Sequence, residues 1–383
     1  MHNRILITGG AGFIGTHLSR LLLADGQKVR ILDPLTPQVH GAVPRDLDWL
    51  ASDGVEFLRG SVTRREDIEK AIADVDHIVH LAAETGTGQS MYEVAKYNEV
   101  NTHGTALLVD VLANNRAHSV QRIVLASSRS VYGEGAYLCS GCERSARSGR
   151  VYPTARLPEQ LIRHQWEPSC PRCGQALVAT ATREDDAVRP ASIYAATKYA
   201  QEDLLRIGCE SLGIGYAILR LQNVYGEGQS LNNPYTGILS IFSTRVRRGL
   251  ELTAFEDGLE SRDFVHVSDV ARSMQLCLTR AEPVNTVINV GSGVATSVLD
   301  VARSLTRALG HTPNVRVTAE YRVGDIRHNF ADIGRLRELL AYEPQVDITA
   351  GLQRFCDWVL TQSLPEDQLG RANAELKARK LMG

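Results

Sequence analysis

At 383 residues, 43% hydrophobic and 22% charged, the chain is long enough to bury one large core or two. Its formal net charge of −2 gives no electrostatic case for nucleic acid or an anionic membrane as the main partner. No run of about 18 apolar residues exists to span a bilayer, and MHNRILITGGAGFIG enters a strand and a glycine loop with no signal-peptide core, so a cytoplasmic protein is expected.

In chain order, RILITG reads as a buried strand, THLSRLLLADG as a helix closed by glycine, and KVRILD as a second strand. VEFLRGSV, a helix through REDIEKAIA, the strand DHIVHLAA, a long helix around NTHGTALLVDVLANN and the strand RIVLASS follow. Strands alternating with helices predict a parallel sheet of βαβ units, and the near-continuous apolar runs HIVHL and RIVLA fit burial on both faces. After SVYGEGAY the rhythm stops for about fifty residues. It resumes with the helix SIYAATKYAQEDLLRIGCESLG and the strand GYAILRLQNVYG. Beyond residue 226, VNTVINVGSG reads as a strand, SVLDVARSLTRALG as an amphipathic helix, and DQLGRANAELKARKLMG as a polar terminal helix. The expected fold class is α/β: a Rossmann-type doubly wound parallel sheet over 1–133 and 188–225, a zinc-ribbon-like insertion over 134–187, a mainly substrate-binding domain over 226–360 and a polar tail over 361–383.

Gly9, Gly12 and Gly15 sit between the first strand and the first helix. Glycines there give a tight turn, close approach of backbone to a pyrophosphate and tight helix–strand packing, while the helix N-terminus offers free N–H groups to phosphate. Asp33 ends the second strand, where it can accept hydrogen bonds from ribose hydroxyls and repel a 2′-phosphate, which favours NAD over NADP. Tyr194 and Lys198 are four apart on one helix face. A nearby ammonium favours the phenolate and draws a tyrosine toward proton-transfer work.

The interruption carries two C-x-x-C pairs, Cys139/Cys142 and Cys170/Cys173. Four thiolates close a tetrahedral zinc shell and leave no open position, so a zinc ion here is expected to be structural. Trp166 beside Pro168 is expected to cap a small core around the metal. Six Arg against three Glu from Cys139 to Cys173, with Tyr152 and Trp166, make a thin nucleic-acid surface. Cys209, Cys277 and Cys356 read as small buried hydrophobes.

TGGAGFIG, HLAA, NTHGT, SSRSVYG, YAATK, LRLQNVYG and SRDFVHVSDVA together resemble the extended short-chain dehydrogenase/reductases that modify nucleotide sugars. The resemblance runs from residue 4 to about 360, apart from the cysteine insertion. It implies that Ser128 bonds the reacting sugar oxygen, Tyr194 moves the proton, and Lys198 holds the cofactor ribose and tunes the tyrosine. NAD would lie against Gly9, Gly12, Phe13, Ile14, Gly15, Asp33, Ser61, Val62, Leu81, Ala82, Ala83, Tyr194 and Lys198, with Asn101 supporting the lysine site. Ser61 departs from the family's aspartate at the adenine. A nucleotide-diphosphate sugar would meet Thr85, Thr87, Gln89, Ser90, Ser128, Arg129 and Asn223, with Arg262 and Arg322 clamping the pyrophosphate and Asp325 meeting a ribose hydroxyl.

Three chemistries compete on such a scaffold: 4-epimerisation, 4,6-dehydration and net reduction. The family's dehydratases carry Asp-Glu directly after the serine, where this chain has Arg129 and Ser130, and an arginine cannot act as that acid. A resident NAD suits epimerisation better than an exchanging NADPH suits reduction. ETGTGQSMYE, NNPYTGILSIF and the paired C-x-x-C insertion resemble the dTDP-L-rhamnose 4-epimerases, with UDP-hexose 4-epimerases as the rival. A NAD-sensing regulator of this fold would be expected to lack the tyrosine or lysine, and both stand. By resemblance a homodimer is expected, through helices near 101–115 and 194–212.

Overall fold

The computed structural model describes residues 4–41, 47–115, 117–142, 149–231, 237–282, 284–322, 324–367 and 369–383. Part of NNPYTGILSIF, residues 232–236, lies outside the described residues. Seven strands form the main sheet: β1 (Arg4–Thr8), β2 (Lys28–Asp33), β3 (Val55–Arg59), β4 (His77–His80), β5 (Arg122–Ser128), β6 (Gly215–Leu221) and β7 (Thr286–Val290). The larger helices are α1 (Phe13–Ala24), α2 (Arg65–Ile72), α3 (Gly104–Asn114), α4 (Ile193–Leu212), α5 (Ile238–Arg247), α6 (Val267–Thr279), α7 (Val298–Ala308), α8 (Ile348–Thr361) and α9 (Leu369–Ala378).

The sheet order is β7-β6-β5-β4-β1-β2-β3, with every pairing parallel. Alternation along each strand divides the core. Ile5 and Ile7 face α1 and α6 through Leu18, Leu22, Val270 and Met274, while Leu6 faces α2, α3 and α4 through Ile68, Leu108 and Leu205. Each fully buried Leu or Ile contributes roughly 1.5–3 kcal/mol, so both sheet faces are sealed and ligands are left the rim. The chain order reverses between β1 and β4, and the crevice beyond their carboxyl ends is where open parallel sheets bind ligands.

The boundary expected at 225 is crossed by the chain. Strand β7 adds to the main sheet beside β6, and α6 packs on the same face as α1, although both come from the stretch read as mainly substrate-binding. Their apolar runs are continuous with the sheet core, and that burial draws them in. The remaining residues of that stretch build a second core from α5, α7 and α8 around Tyr225 and Phe264. The insertion is a small lobe of three antiparallel two-residue strands, Tyr137–Leu138, Arg150–Val151 and Val178–Ala179.

Candidate active site

The glycine loop is built by close approach. Gly9 has φ +68°, and a Cβ there would lie 2.8 Å from the Ala82 amide nitrogen, so the loops after β1 and β4 close on one another only with glycine. A Cβ at Gly15 would come within 2.5 Å of Gly10, which packs α1 against its own loop. Among the described residues no side chain caps the α1 N-terminus, leaving its first-turn N–H groups for an anion. Asp33 is buried and accepts from the Ala11 amide at 3.2 Å and the Leu35 amide at 2.8 Å, which fixes its carboxylate at the end of β2.

A cleft of about 620 Å³ opens there, within the range of small-molecule sites. Its lining contains Gly9, Gly12, Phe13, Ile14, Gly15, Asp33, Ser61, Val62, Leu81, Ala82, Ala83, Ser128, Tyr194 and Lys198, so these sequence-derived positions converge. Ser61 bonds Thr63 side chain to side chain at 2.9 Å and donates its amide to Asp67. The glycine cradle and uncapped helix suit a dinucleotide, as do the buried Gln222 amide atoms, which lack partners among the described residues.

Asn101, expected to support the lysine site, is fully buried behind the cleft lining. It sits in a π-helical turn, Asn98–His103, and clamps the Glu84 backbone from both sides at 2.8 and 3.1 Å while donating to Thr197 at 3.0 Å. It therefore ties the loop after β4 to the residue preceding Lys198.

Ser128 ends β5, and its Oγ accepts from the Ser130 amide and hydroxyl at 3.2 and 3.0 Å. Tyr194 stands in the first turn of α4, whose N-cap Ser192 accepts from the Ala195 amide. Burial raises the Tyr194 phenol, while a hydrogen bond with Ser128 and the Arg129 charge pull it back. Burial pushes the Lys198 ammonium down to about 7, opposed by Glu202 one turn on. Glu202 pairs with Arg220 at 2.7 Å and accepts from Ser127, so a buried ion pair braces the end of β5 beneath the site.

A second cavity of about 290 Å³ adjoins the first, sharing Thr87, Arg129, Asn223, Gly237 and Ile238. Arg129 donates to Asn223 Oδ1 at 2.8 Å, yet its Nη1 has no partner among the described residues. Burial and the Arg262 charge pull Arg129 down to about 9. Arg262 donates to Asp325 at 3.1 Å, and Arg322 lies over the Phe255 ring at 4.7 Å with its Nε unpartnered among the described residues. Burial raises the Asp325 carboxyl, but Arg262, Arg322 and Arg156 outweigh it and leave it low. Three guanidiniums in one cavity, two of them with a donor unmet among the described residues, make a cationic pocket suited to an anion.

Of the loop after β4, Thr85 and Thr87 reach the cavities. Gln89 and Ser90, expected at the sugar, line neither cavity. Gln89 is buried against Gln38, Glu93 and Tyr97, and Ser90 accepts the Tyr194 amide at 3.1 Å. The one-turn helix Thr87–Ser90 turns its last two side chains inward, a phase that polar composition does not reveal. Sequence reasoning missed Phe255, Glu260, Met91 and the leucines of the last fifteen residues, all lining the second cavity. The 369/376 leucine spacing was a signal for the last of these.

The four insertion cysteines converge, with their sulfurs within 4.8 Å of one another. Cys139–Cys173 and Cys142–Cys170 are 3.4 and 3.9 Å apart, against about 3.8 Å between sulfurs in a tetrahedron of ~2.3 Å Zn–S bonds. The donor set and its geometry fit zinc. Trp166 does not cap this core: it stacks on His164 at 5.2 Å, and Tyr137, Val151 and Leu177 surround the cysteines.

A reversing parallel sheet with a dinucleotide crevice, and a Ser-Tyr-Lys group facing a cationic pocket, mark a Rossmann enzyme acting on an anionic substrate. The sequence matches the NAD dependent epimerase/dehydratase family over residues 5–156 and 173–291, and the chain belongs to that family. It is 38% identical to a dTDP-L-rhamnose 4-epimerase of Burkholderia thailandensis over 93% of this chain and 94% of that one. It is 28% identical to a putative UDP-glucose 4-epimerase of Methanocaldococcus jannaschii, covering 93% and 98%. The Thermotoga maritima UDP-glucose 4-epimerase, solved with UDP-glucose, matches with TM-score 0.72 and 26% identity over 93% of this chain and 98% of its own. The Thermus thermophilus UDP-glucose 4-epimerase, solved with NAD, matches with TM-score 0.69 and 27% identity over 94% and 100%. Among the described residues no helix is long and apolar enough to cross a membrane.

Proposed function

We propose that this protein is an NAD-dependent nucleotide-sugar 4-epimerase that interconverts dTDP-L-rhamnose and dTDP-6-deoxy-L-talose. The observation carrying the reaction type is Arg129 beside Ser128. Arg129 bonds Asn223 and faces the cationic cavity, so the position after the serine holds a phosphate-facing guanidinium and no acid for eliminating water. The substrate assignment is supported by the 38% identity to the Burkholderia enzyme across nearly the whole of both chains. UDP-hexose 4-epimerisation is the second reading, favoured by the structural similarity to enzymes solved with UDP-sugars.

Gly9, Gly12, Asp33, Tyr194 and Lys198 would hold NAD, which supplies a reversible hydride acceptor at C4 when bound. Ser128 would orient the C4 oxygen, and Tyr194 would take its proton and return it. Lys198 would favour the phenolate and hold the ribose. Arg129, Arg262 and Arg322 would hold the diphosphate while the 4-keto sugar turns its other face. Cys139, Cys142, Cys170 and Cys173 would hold a structural zinc, supported by their sulfur separations. The test is to denature the purified protein, look for released NAD, and follow dTDP-L-rhamnose and UDP-hexoses by proton NMR. Inversion at C4 of dTDP-L-rhamnose supports the reading, and no isomerised sugar nucleotide in the panel sinks it.

A further inference from the structure

The last fifteen residues are not a free tail. Leu369 and Leu376 of α9 are 8% and 6% exposed, and with Leu381 they line the second cavity. Three attachments hold them there. Tyr321 and Gly383 exchange backbone hydrogen bonds at 2.9 and 3.0 Å, Arg322 Nη2 donates to Asn373 Oδ1 at 3.1 Å, and Arg379 lies over the Tyr92 ring at 4.2 Å. The outer wall of the cavity is therefore pinned partly by an arginine that also faces its interior. Leu376 lies at the end that adjoins the catalytic cleft: a Cβ on Gly88 would be 3.6 Å from Leu376 Cδ2, and neighbouring Thr87 lines both cavities. Met91 lines the same cavity, so this end presents thioether and isobutyl surface.

We propose that the C-terminal segment walls the nucleotide-sugar pocket, with Leu376 and Met91 packing against an apolar C6 methyl of the sugar. This rests on the 4-epimerase reading above and adds the residues that select a 6-deoxy sugar. A hydroxymethyl group set against that surface would lose its hydrogen bonds to water without replacement.

Two measurements on the full chain test it. Leu376→Ala is expected to raise KM for dTDP-L-rhamnose on the order of 10-fold, narrow the preference over 6-hydroxy sugar nucleotides, and leave kcat and bound NAD near wild type. Lys377→Ala, whose side chain pairs with Glu320 on the outside, should change none of these. Independently, dTDP alone should slow tryptic cleavage at Lys377, Arg379 and Lys380 of the wild-type protein, because an occupied pocket holds Arg322 and the wall in place. The proposal is overturned if Leu376→Ala keeps wild-type KM and sugar preference, or if dTDP leaves tail cleavage unchanged. Should Leu376→Ala fail to fold, the cleavage result alone decides. Should the enzyme turn over only UDP-hexoses, the deoxysugar reading and the C6-methyl contact fall together. An unaltered KM of Leu376→Ala for that hexose would then remove the wall as well.

Discussion

Arg129 carries a largely buried charge with one donor, Nη1, unmet among the described residues. Held at about 9 when an unperturbed arginine titrates near 12.5, its cation carries a penalty of roughly 5 kcal/mol, from burial first and from Arg262 second. It is partly exposed at the cleft, and solvent screening cuts that to roughly 2 kcal/mol. Replacing it with methionine removes this penalty but also the hydrogen bond to Asn223, worth roughly 1 kcal/mol. The net expectation for Arg129→Met is a ligand-free protein more stable by about 1 kcal/mol. In a chain of this length that is a Tm rise of only about 1 °C, so it is best read as a change in urea midpoint at constant slope. Binding should move the other way. Losing charge-assisted bonds of about 1.5–3 kcal/mol to a phosphate raises KM and the Kd for dTDP about 10- to 100-fold. Urea melts with and without dTDP, together with calorimetric titration of dTDP, test both signs at once. A variant less stable than wild type without ligand, binding dTDP as wild type does, would refute the reasoning.

Tyr194→Phe should cost about 10²- to 10⁴-fold in kcat while retaining bound NAD, and wild-type turnover in the NMR assay would contradict the proton-transfer role. His80 is buried between Thr8 and Thr105 with its imidazole pushed down to about 3 by burial first and Lys198 second. Its folded form prefers the neutral ring, so the stability it protects is full above about pH 6.5 and is lost progressively as pH falls toward 3, by roughly 4–5 kcal/mol in all. His80→Asn should flatten the fall of Tm between those values, and an unchanged slope would count against burial as its cause. Stripping metal with a chelator should lower Tm and raise KM for the nucleotide sugar, with kcat retained in the protein that stays folded; lost turnover at unchanged substrate affinity would contradict a structural zinc.

What was legible from the sequence was what local spacing dictates. The glycine loop, Asp33 at a strand end, Tyr194 and Lys198 one helical turn apart, and the cysteine pairs all lie within short windows, and the structure brings each set together. Less legible were side chains whose direction depends on tertiary phase. Gln89 and Ser90 are polar and follow Thr87 closely, yet they point into the protein and support Tyr97 and Tyr194. Strand β7 was read as a strand but assigned beyond the sheet, because nothing in TVINV says which edge it will join. In α9, the two leucines seven apart were outweighed by charges on the other faces.

The insertion gains meaning from what it touches. Arg156, on the lobe side of the chain, donates to the Asp325 carbonyl at 3.0 Å and pairs with Glu256 at 2.8 Å. Glu167 pairs with Arg327 at 2.7 Å and with His328 at 3.1 Å. Arg322 and Asp325 both line the second cavity, so the segment that presents them is gripped from behind by the lobe. The buried charges among these, Arg156, Glu256 and Arg327, contribute little net stability but impose one geometry, since leaving any of them unpaired is costly. A loop of this length between Ser128 and Tyr194 would otherwise sample many positions beside the cleft. Four cysteine sulfurs in metal-binding proximity hold Tyr137, Val151 and Leu177 into a small core, and that core fixes the backbone from which Arg156 and Glu167 reach. On the proposed function, the lobe would bear on substrate affinity through the loop that carries Arg322 and Asp325, and proton transfer would stay with residues anchored in β5 and α4.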